Sequence, residues 1–204
     1  MSTYAVLDFE TTGLSPSLGA RPTEIGICIV EGNRIVDRYQ SLMNPGVSIP
    51  YDVQRLTGIT DSMVRSAPTV AVAMKEAADF VGSRPLLAHN AAFDQKFWEI
   101  ELRRIKRNPR KDLACSLLIS RRIFPQLANY RLETLVKNLK LPNSGSYHRA
   151  LADAECTAHL LVRIKAELQA RYKVSSVDHA LLMAIQSSRK TELLRCIRQF
   201  GGAP

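Results

Sequence analysis

"YAVLDFETTGL", residues 4–14, is the stretch on which the reading of this chain turns. It opens as an apolar run of strand type and then places two carboxylates, Asp8 and Glu10, two positions apart. Alternate residues of a strand share a face. Both acids therefore project to one side, and Phe9 projects to the other, into a core. Asp8 continues the apolar run and is expected to be shielded from water. A carboxylate buried without compensation is costly, so the pair calls for a counter-charge. "TTG" ends the strand at once, and strand ends in α/β sheets are where sites form.

Working outward, "EIGICIV" (24–30) and "RIVDRYQSLM" (34–43) read as two further strands. Gly32-Asn33 between them suits a tight hairpin turn, so three antiparallel strands open the chain. "SIPYDVQRLTG" (48–58) predicts a short helix with Pro50 in its first turn and Gly58 just past its end. "TVAVAMKEAADFVG" (69–82) predicts a longer helix, capped by Thr69 and stopped by Gly82. "RPLLAH" (84–89) is a short buried strand, and Asn90 is expected to cap the helix "AAFDQKFWEIELRRIKR" (91–107). "LACSLLISRRIF" (113–124) runs from strand into helix, "RLETLVKNLKL" (131–141) is a compact helix, and the longest helix covers 149–172. Strands first, then strands alternating with helices, give an α/β fold with a mixed sheet. A boundary near Tyr172 separates a domain of residues 1–172 from a C-terminal extension of residues 173–204. That extension reads as two short helices, either packed on the domain or serving as a tail for a protein partner.

Composition narrows the function classes. The chain has 204 residues and 46% apolar content, enough for one domain with a real core. Nothing approaches 18 continuous apolar residues, so no membrane span is expected. The first ten residues have no basic segment leading into a long apolar one, so a cytoplasmic protein is expected. Cys28, Cys115, Cys156 and Cys196 are widely spaced and read as reduced core fillers. The formal charge of +9 points to a polyanionic partner.

Three further residues join the opening pair. Asp94 follows "LLAHNAAF" in the first turn of its helix, where the helix dipole favours an acid. Asp153 is harder to explain by local structure. Its helical face-mates are Cys156, Leu160, Leu161 and Ile164, so an apolar face carries a carboxylate that needs a partner. His148 lies five residues earlier, which on one helix would leave the two side chains about 140° apart. For both to serve one site, His148 must precede the helix on a loop, and "NSGSYH" (143–148) suits a mobile loop.

Four carboxylates share a reason if they hold hard divalent cations, which take carboxylate, phosphate and water oxygens. Two such ions about 4 Å apart flank a phosphodiester, one at the attacking water and one at the leaving oxygen. A histidine titrating near neutrality suits removal of the proton from that water.

"DFETTGL" (8–14), "HNAAFD" (89–94) and "HRALADA" (148–154), in that order, resemble the three exonuclease motifs of the DEDDh 3′–5′ exonucleases. This is the family of the DNA polymerase III epsilon proofreading subunit, and the resemblance runs from about residue 3 to 170. It implies a ribonuclease H-like fold, a five-stranded mixed sheet with helices on both faces. It implies that Asp8, Glu10, Asp94 and Asp153 hold two Mg²⁺ or Mn²⁺ ions and that His148 is the general base. It further implies that Thr11, Gly13 and Leu14 line the pocket of the 3′-terminal nucleotide. Leu56 and Thr57 would form a second wall, and Phe93 would stack on that nucleotide. The five core positions match the pattern. The extension after about 172 is not the longer polymerase-binding tail of epsilon subunits, so the chain looks like a stand-alone epsilon-like exonuclease.

The expected activity is removal of nucleoside 5′-monophosphates from the 3′ end of single-stranded DNA. RNA 3′ ends are the alternative, since discrimination depends on contacts to one 2′-hydroxyl. A non-catalytic binding module is the third reading, and it is disfavoured because all five core residues are present. "RRIKRNPRK" (103–111), with six Lys or Arg in nine residues, and Arg189, Lys190, Arg195 and Arg198 are candidate phosphate-tracking cations.

Overall fold

A computed structural model describes residues 3–109, 112–143 and 148–201. Three strands open it: β1 (Thr3–Thr11), β2 (Pro22–Glu31) and β3 (Arg34–Leu42). Helices α1 (Tyr51–Thr57), α2 (Asp61–Val64) and α3 (Val70–Val81) follow, then β4 (Leu86–Ala88), α4 (Ala92–Arg104) and β5 (Ala114–Cys115). The remainder is helical: α5 (Ser116–Ile123), α6 (Leu132–Leu139), α7 (Ala150–Tyr172), α8 (His179–Ser187) and α9 (Leu193–Arg198). The five strands form one mixed sheet in the order β3-β2-β1-β4-β5. β1–β2 and β2–β3 are antiparallel, while β1–β4 and β4–β5 are parallel. This is the ribonuclease H-like sheet expected from the motifs.

The twofold repeat of the strands sorts the core. Tyr4 and Val6 of β1 and Cys28 and Val30 of β2 pack under α5, α6, α7 and α8. Ala5, Leu7 and Phe9 of β1 and Ile25, Ile27 and Ile29 of β2 pack under α3 and α4. Asp8 and Glu10 therefore lie on the α7 face, and Phe9 points away from them into the other layer. β1 pairs with β4 only through Ala5 and Val6, so its last residues run beyond the end of β4. The carboxyl ends of two neighbouring parallel strands are left open there, which is where sites form in α/β sheets.

Local signals held at most helix ends. Gly32 takes φ 59° and comes first in the β2–β3 turn, as a II′ hairpin requires. Gly58 adopts the left-handed conformation that closes α1, and Thr69 accepts the Val72 N–H at the start of α3. Asn90 is a correction. It does not cap α4, whose N-cap is Ala91 with no side-chain cap. Asn90 instead has φ 60°, and its carbonyl accepts the Phe93 N–H. Asparagine tolerates that left-handed conformation better than most residues, and the chain needs it to swing from β4 into α4. The single-turn α2, capped by Thr60, is too short to show a hydrophobic period.

The core continues across Tyr172. Val174, Val177, Leu181, Leu182, Ile185, Leu193 and Ile197 are buried in the same cluster as Tyr4 and Leu160. α8 also covers the short edge strand β5: Cys115 N–H donates to Gln186 Oε1 at 2.6 Å, and Gln186 Nε2 donates to the Leu113 carbonyl at 3.4 Å. A side-chain amide thus stands where another strand would pair. All four cysteines are free thiols, three of them buried. Among the described residues, no helix is long and apolar enough to cross a membrane.

Candidate active site

Asp8 and Glu10 extend from the open end of β1, and Asp153 reaches them from the first turn of α7. One carboxylate oxygen from each lies within 4.8 Å of the others. Asp94 approaches over the end of the sheet from α4 and is almost fully buried. Its Oδ1 accepts the Phe9 N–H at 3.1 Å, a donor freed because β4 has already ended.

The electrostatics mark a site short of positive charge. Burial pushes the Asp8 carboxyl well above the usual carboxylate range, and the charges of Asp94, Asp153, Glu10 and Glu24 push it further. Burial, with Asp153 and Glu24 adding to it, raises Glu10 from 4.5 to about 8, against the opposing pull of Arg149. Asp94 is raised by burial, opposed by its hydrogen bond from Phe9. Asp153 is also raised by burial, opposed by the backbone amide and the charge of His148. The oxygens are close and hard, and they carry more negative charge than the protein neutralises. That donor set fits a divalent cation with oxygen preference.

His148 directly precedes α7. It is exposed, takes φ 61°, and donates its N–H to Asp153 Oδ2 at 3.2 Å. His148 lies outside the helix, as the rotation argument requires, and meets Asp153 through its backbone N–H. Residues 144–147 of the expected mobile loop lie outside the described residues. His89, from the second motif, is structural. Its ring nitrogens bond Ser116 Oγ at 2.8 Å and the Tyr130 carbonyl at 2.9 Å, and burial lowers its pKa to about 4.

The expected nucleotide-pocket residues divide by exposure. Thr11 is buried, with its hydroxyl donating to the Gly13 carbonyl at 2.7 Å. The Thr12 N–H donates to the Arg21 carbonyl, and the Arg21 N–H donates to the Thr12 hydroxyl, closing the loop between them. The closed loop presents Leu14, 82% exposed, at its rim. Leu56 of α1 is also exposed, whereas Thr57 is buried, donating to the Val53 carbonyl and accepting the Ile59 N–H. Phe93 is half-buried and tilted against Phe97, with ring centroids 5.2 Å apart. Leu18, 89% exposed on the same loop as Leu14, was not singled out in the sequence because a lone leucine between prolines and glycines carries no period.

Three of the six cations in the basic segment 103–111 are paired within the protein. Arg103 pairs with Glu99, Arg104 with Glu101 and Arg107 with Asp79; Arg110 and Lys111 lie outside the described residues. Acids one helical turn back take the charges of Arg103 and Arg104, and Asp79 of α3 takes that of Arg107. Arg189, Lys190, Arg195 and Arg198 remain exposed.

Glu24, Gly26 and Arg149 were also missed. Glu24 carries the signal that exposed Asp8, an acid inside an apolar strand, and it is fully buried. Gly26, the register partner of Asp8, is the reason α7 comes so near. A Cβ there would lie 2.3–2.4 Å from backbone atoms of Ala150 and Leu151.

The family model RNase_T, described as an exonuclease, matches residues 5–161. The chain is 37% identical over 166 residues to a PolC-type DNA polymerase III of Bacillus cereus, covering 79% of this chain and 11% of the polymerase. It thus spans about a tenth of the length of the PolC-type proteins it matches. It is 32% identical over 176 residues to the DNA polymerase III subunit epsilon of Aquifex aeolicus, covering 84% of this chain and 85% of that protein. Among solved structures, Exonuclease X in complex with 5′ overhanging duplex DNA matches with TM-score 0.70 and 25% identity, over 90% of this chain and 99% of that one.

Proposed function

Since this chain belongs to the exonuclease family whose model spans residues 5–161, we propose that it is a 3′–5′ exonuclease that hydrolyses the terminal phosphodiester of single-stranded DNA and releases nucleoside 5′-monophosphates. The observation that carries the reading is the meeting of Asp8, Glu10 and Asp153 oxygens within 4.8 Å, in a setting that raises Glu10 to about 8. A purely structural protein gains nothing from such an arrangement.

Asp8, Glu10, Asp94 and Asp153 would hold two divalent ions, with Mg²⁺ or Mn²⁺ suited to carboxylate oxygens. Ions bound there supply Lewis acidity toward the phosphoryl oxygens and lower the pKa of water. His148 takes a proton from the attacking water at its imidazole, on a backbone anchored through its N–H to Asp153 Oδ2. Leu14 and Leu56, exposed apolar side chains like Leu18 and Leu194, would offer faces to the terminal base and sugar, and Phe93 a ring edge. Gly13 would let the loop approach the nucleotide closely. Thr11 and Thr57, with hydroxyls engaged inside the chain, would shape these walls from beneath. Residues 1–172 would form the nuclease domain and 173–204 an appendage on it.

DNA is favoured over RNA because the relatives and the structural neighbour described above are named for DNA polymerases or for a DNA complex. The test uses 5′-labelled single-stranded DNA, 5′-overhanging duplex DNA and RNA of the same sequence, with Mg²⁺ or Mn²⁺ and with excess EDTA. A ladder shortening from the 3′ end of DNA, abolished by EDTA and by Asp8→Ala, is expected. Faster shortening of RNA overturns the substrate assignment. Hydrolysis that survives EDTA or Asp8→Ala overturns the site.

A further inference from the structure

The Glu24 carboxylate is fully buried beside the acidic cluster, yet it is not a ligand in waiting. It sits on β2 opposite Glu10 in the β1–β2 register, and both of its oxygens are occupied by donors. Arg149 donates from Nη2 to Oε1 at 2.7 Å and from Nε to Oε2 at 3.1 Å. Gln40 Nε2 donates to Oε1 at 2.7 Å, and the Ala150 N–H donates to Oε2 at 3.0 Å. Ala150 is the first residue of α7, and the N-cap residue, Arg149, supplies no side-chain cap. The first N–H groups of a helix lack intrahelical partners and favour a negative charge. A strand carboxylate therefore caps α7 from outside the helix.

We propose that Glu24 and Arg149 form the positioning pair that sets where α7 begins and so holds His148 and Asp153 against Asp8 and Glu10; this rests on the exonuclease reading above. Three consecutive residues are pinned within one turn of chain. The His148 N–H is held by Asp153 Oδ2, the Arg149 side chain by Glu24, and the Ala150 N–H by the same Glu24. Gly26 sets how closely α7 approaches the sheet, and Glu24 sets where along the sheet its first turn lands. Glu24 acts on both Asp8 and Glu10 in the same direction as their acidic neighbours, and Arg149 opposes it at Glu10. Bidentate pairing of this kind depends on guanidinium geometry, which lysine reproduces only as a point charge.

The experiment compares wild type with Arg149→Met, Arg149→Lys and Glu24→Gln. It measures kcat and KM on a labelled oligonucleotide, Mn²⁺ binding by calorimetry without substrate, and thermal unfolding. Arg149→Met and Glu24→Gln are expected to lower kcat about 100-fold, the effect of displacing a reacting group by about 1 Å, with KM within about threefold of wild type. Mn²⁺ affinity is expected to fall about tenfold, as for loss of a residue that orients ligands, and Arg149→Lys is expected to recover part of both losses. Wild-type kcat and Mn²⁺ affinity in both Arg149→Met and Glu24→Gln overturn the proposal. So does a loss of kcat explained by the unfolded fraction and not relieved in Arg149→Lys. If wild type hydrolyses no substrate, the exonuclease reading fails, and the Mn²⁺ titration alone then decides the positioning pair.

Discussion

Metal-free protein should lose stability as pH rises from about 4.5 to about 8, and Asp153→Asn should remove much of that loss. The Glu10 carboxyl stands near 8 in the folded chain against an ordinary 4.5. Between those values the native state binds a proton that the unfolded chain has released, so unfolding becomes easier as pH rises. Once Glu10 is ionised the native state has lost on the order of 5 kcal/mol from this group. Asp8, Asp94 and Asp153 are raised too and add with the same sign. Asp153 is the largest cause of the Glu10 shift after burial. At an effective dielectric of about 20, two charges at the 4.8 Å limit repel by about 3 kcal/mol. Asparagine keeps the acceptor for the His148 N–H and removes that repulsion. For a chain of this size, about 3 kcal/mol corresponds to about 6–12 °C in Tm. The assay is thermal unfolding in EDTA across pH 5 to 8, repeated with Mn²⁺. Wild type should fall in Tm with pH in EDTA and be rescued by Mn²⁺. Asp153→Asn should unfold higher than wild type at pH 8 in EDTA and gain little from Mn²⁺. A wild-type Tm that is flat or rising with pH in EDTA, or no gain in Asp153→Asn, refutes the reasoning.

Three other outcomes follow from single contacts. His148→Ala should lower kcat by about 10²–10⁴-fold while leaving Mn²⁺ affinity near wild type by calorimetry, because His148 holds Asp153 through its backbone N–H. Gly26→Ala should destabilise by about 3 kcal/mol or more in urea titration, since its Cβ meets the Ala150 and Leu151 backbone at 2.3–2.4 Å; Mn²⁺ binding should weaken with it, because α7 carries Asp153. Gln186→Ala should cost about 1–3 kcal/mol by urea titration, the penalty for leaving the buried Cys115 N–H unpaired.

The sequence by itself determined the strands, the longer helices and the side of β1 that carries the acids, each through a short-range period, while the five-stranded sheet and the place of Asp94 among the carboxylates were implied by the motif resemblance. Alternation in β1 separates Asp8 and Glu10 from Phe9, and the helical repeat places Asp153 among Cys156, Leu160, Leu161 and Ile164, all buried. Helix ends were legible where a cap side chain or a glycine encodes them, as at Thr69 and Gly58, and misread at Asn90, where backbone conformation and not side-chain capping is what the residue supplies. The tertiary structure decided what brings the pieces together. Glu24 and Arg149 are 125 positions apart and Gly26 touches residues equally remote. No local period joins them, because their partnership exists only once α7 crosses the sheet. The same holds for Arg107 of the basic segment, whose partner Asp79 comes from α3, whereas Arg103 and Arg104 pair with Glu99 and Glu101 at helical spacing. Short-range repeats choose which faces are buried, and close packing between distant segments chooses which buried charges meet.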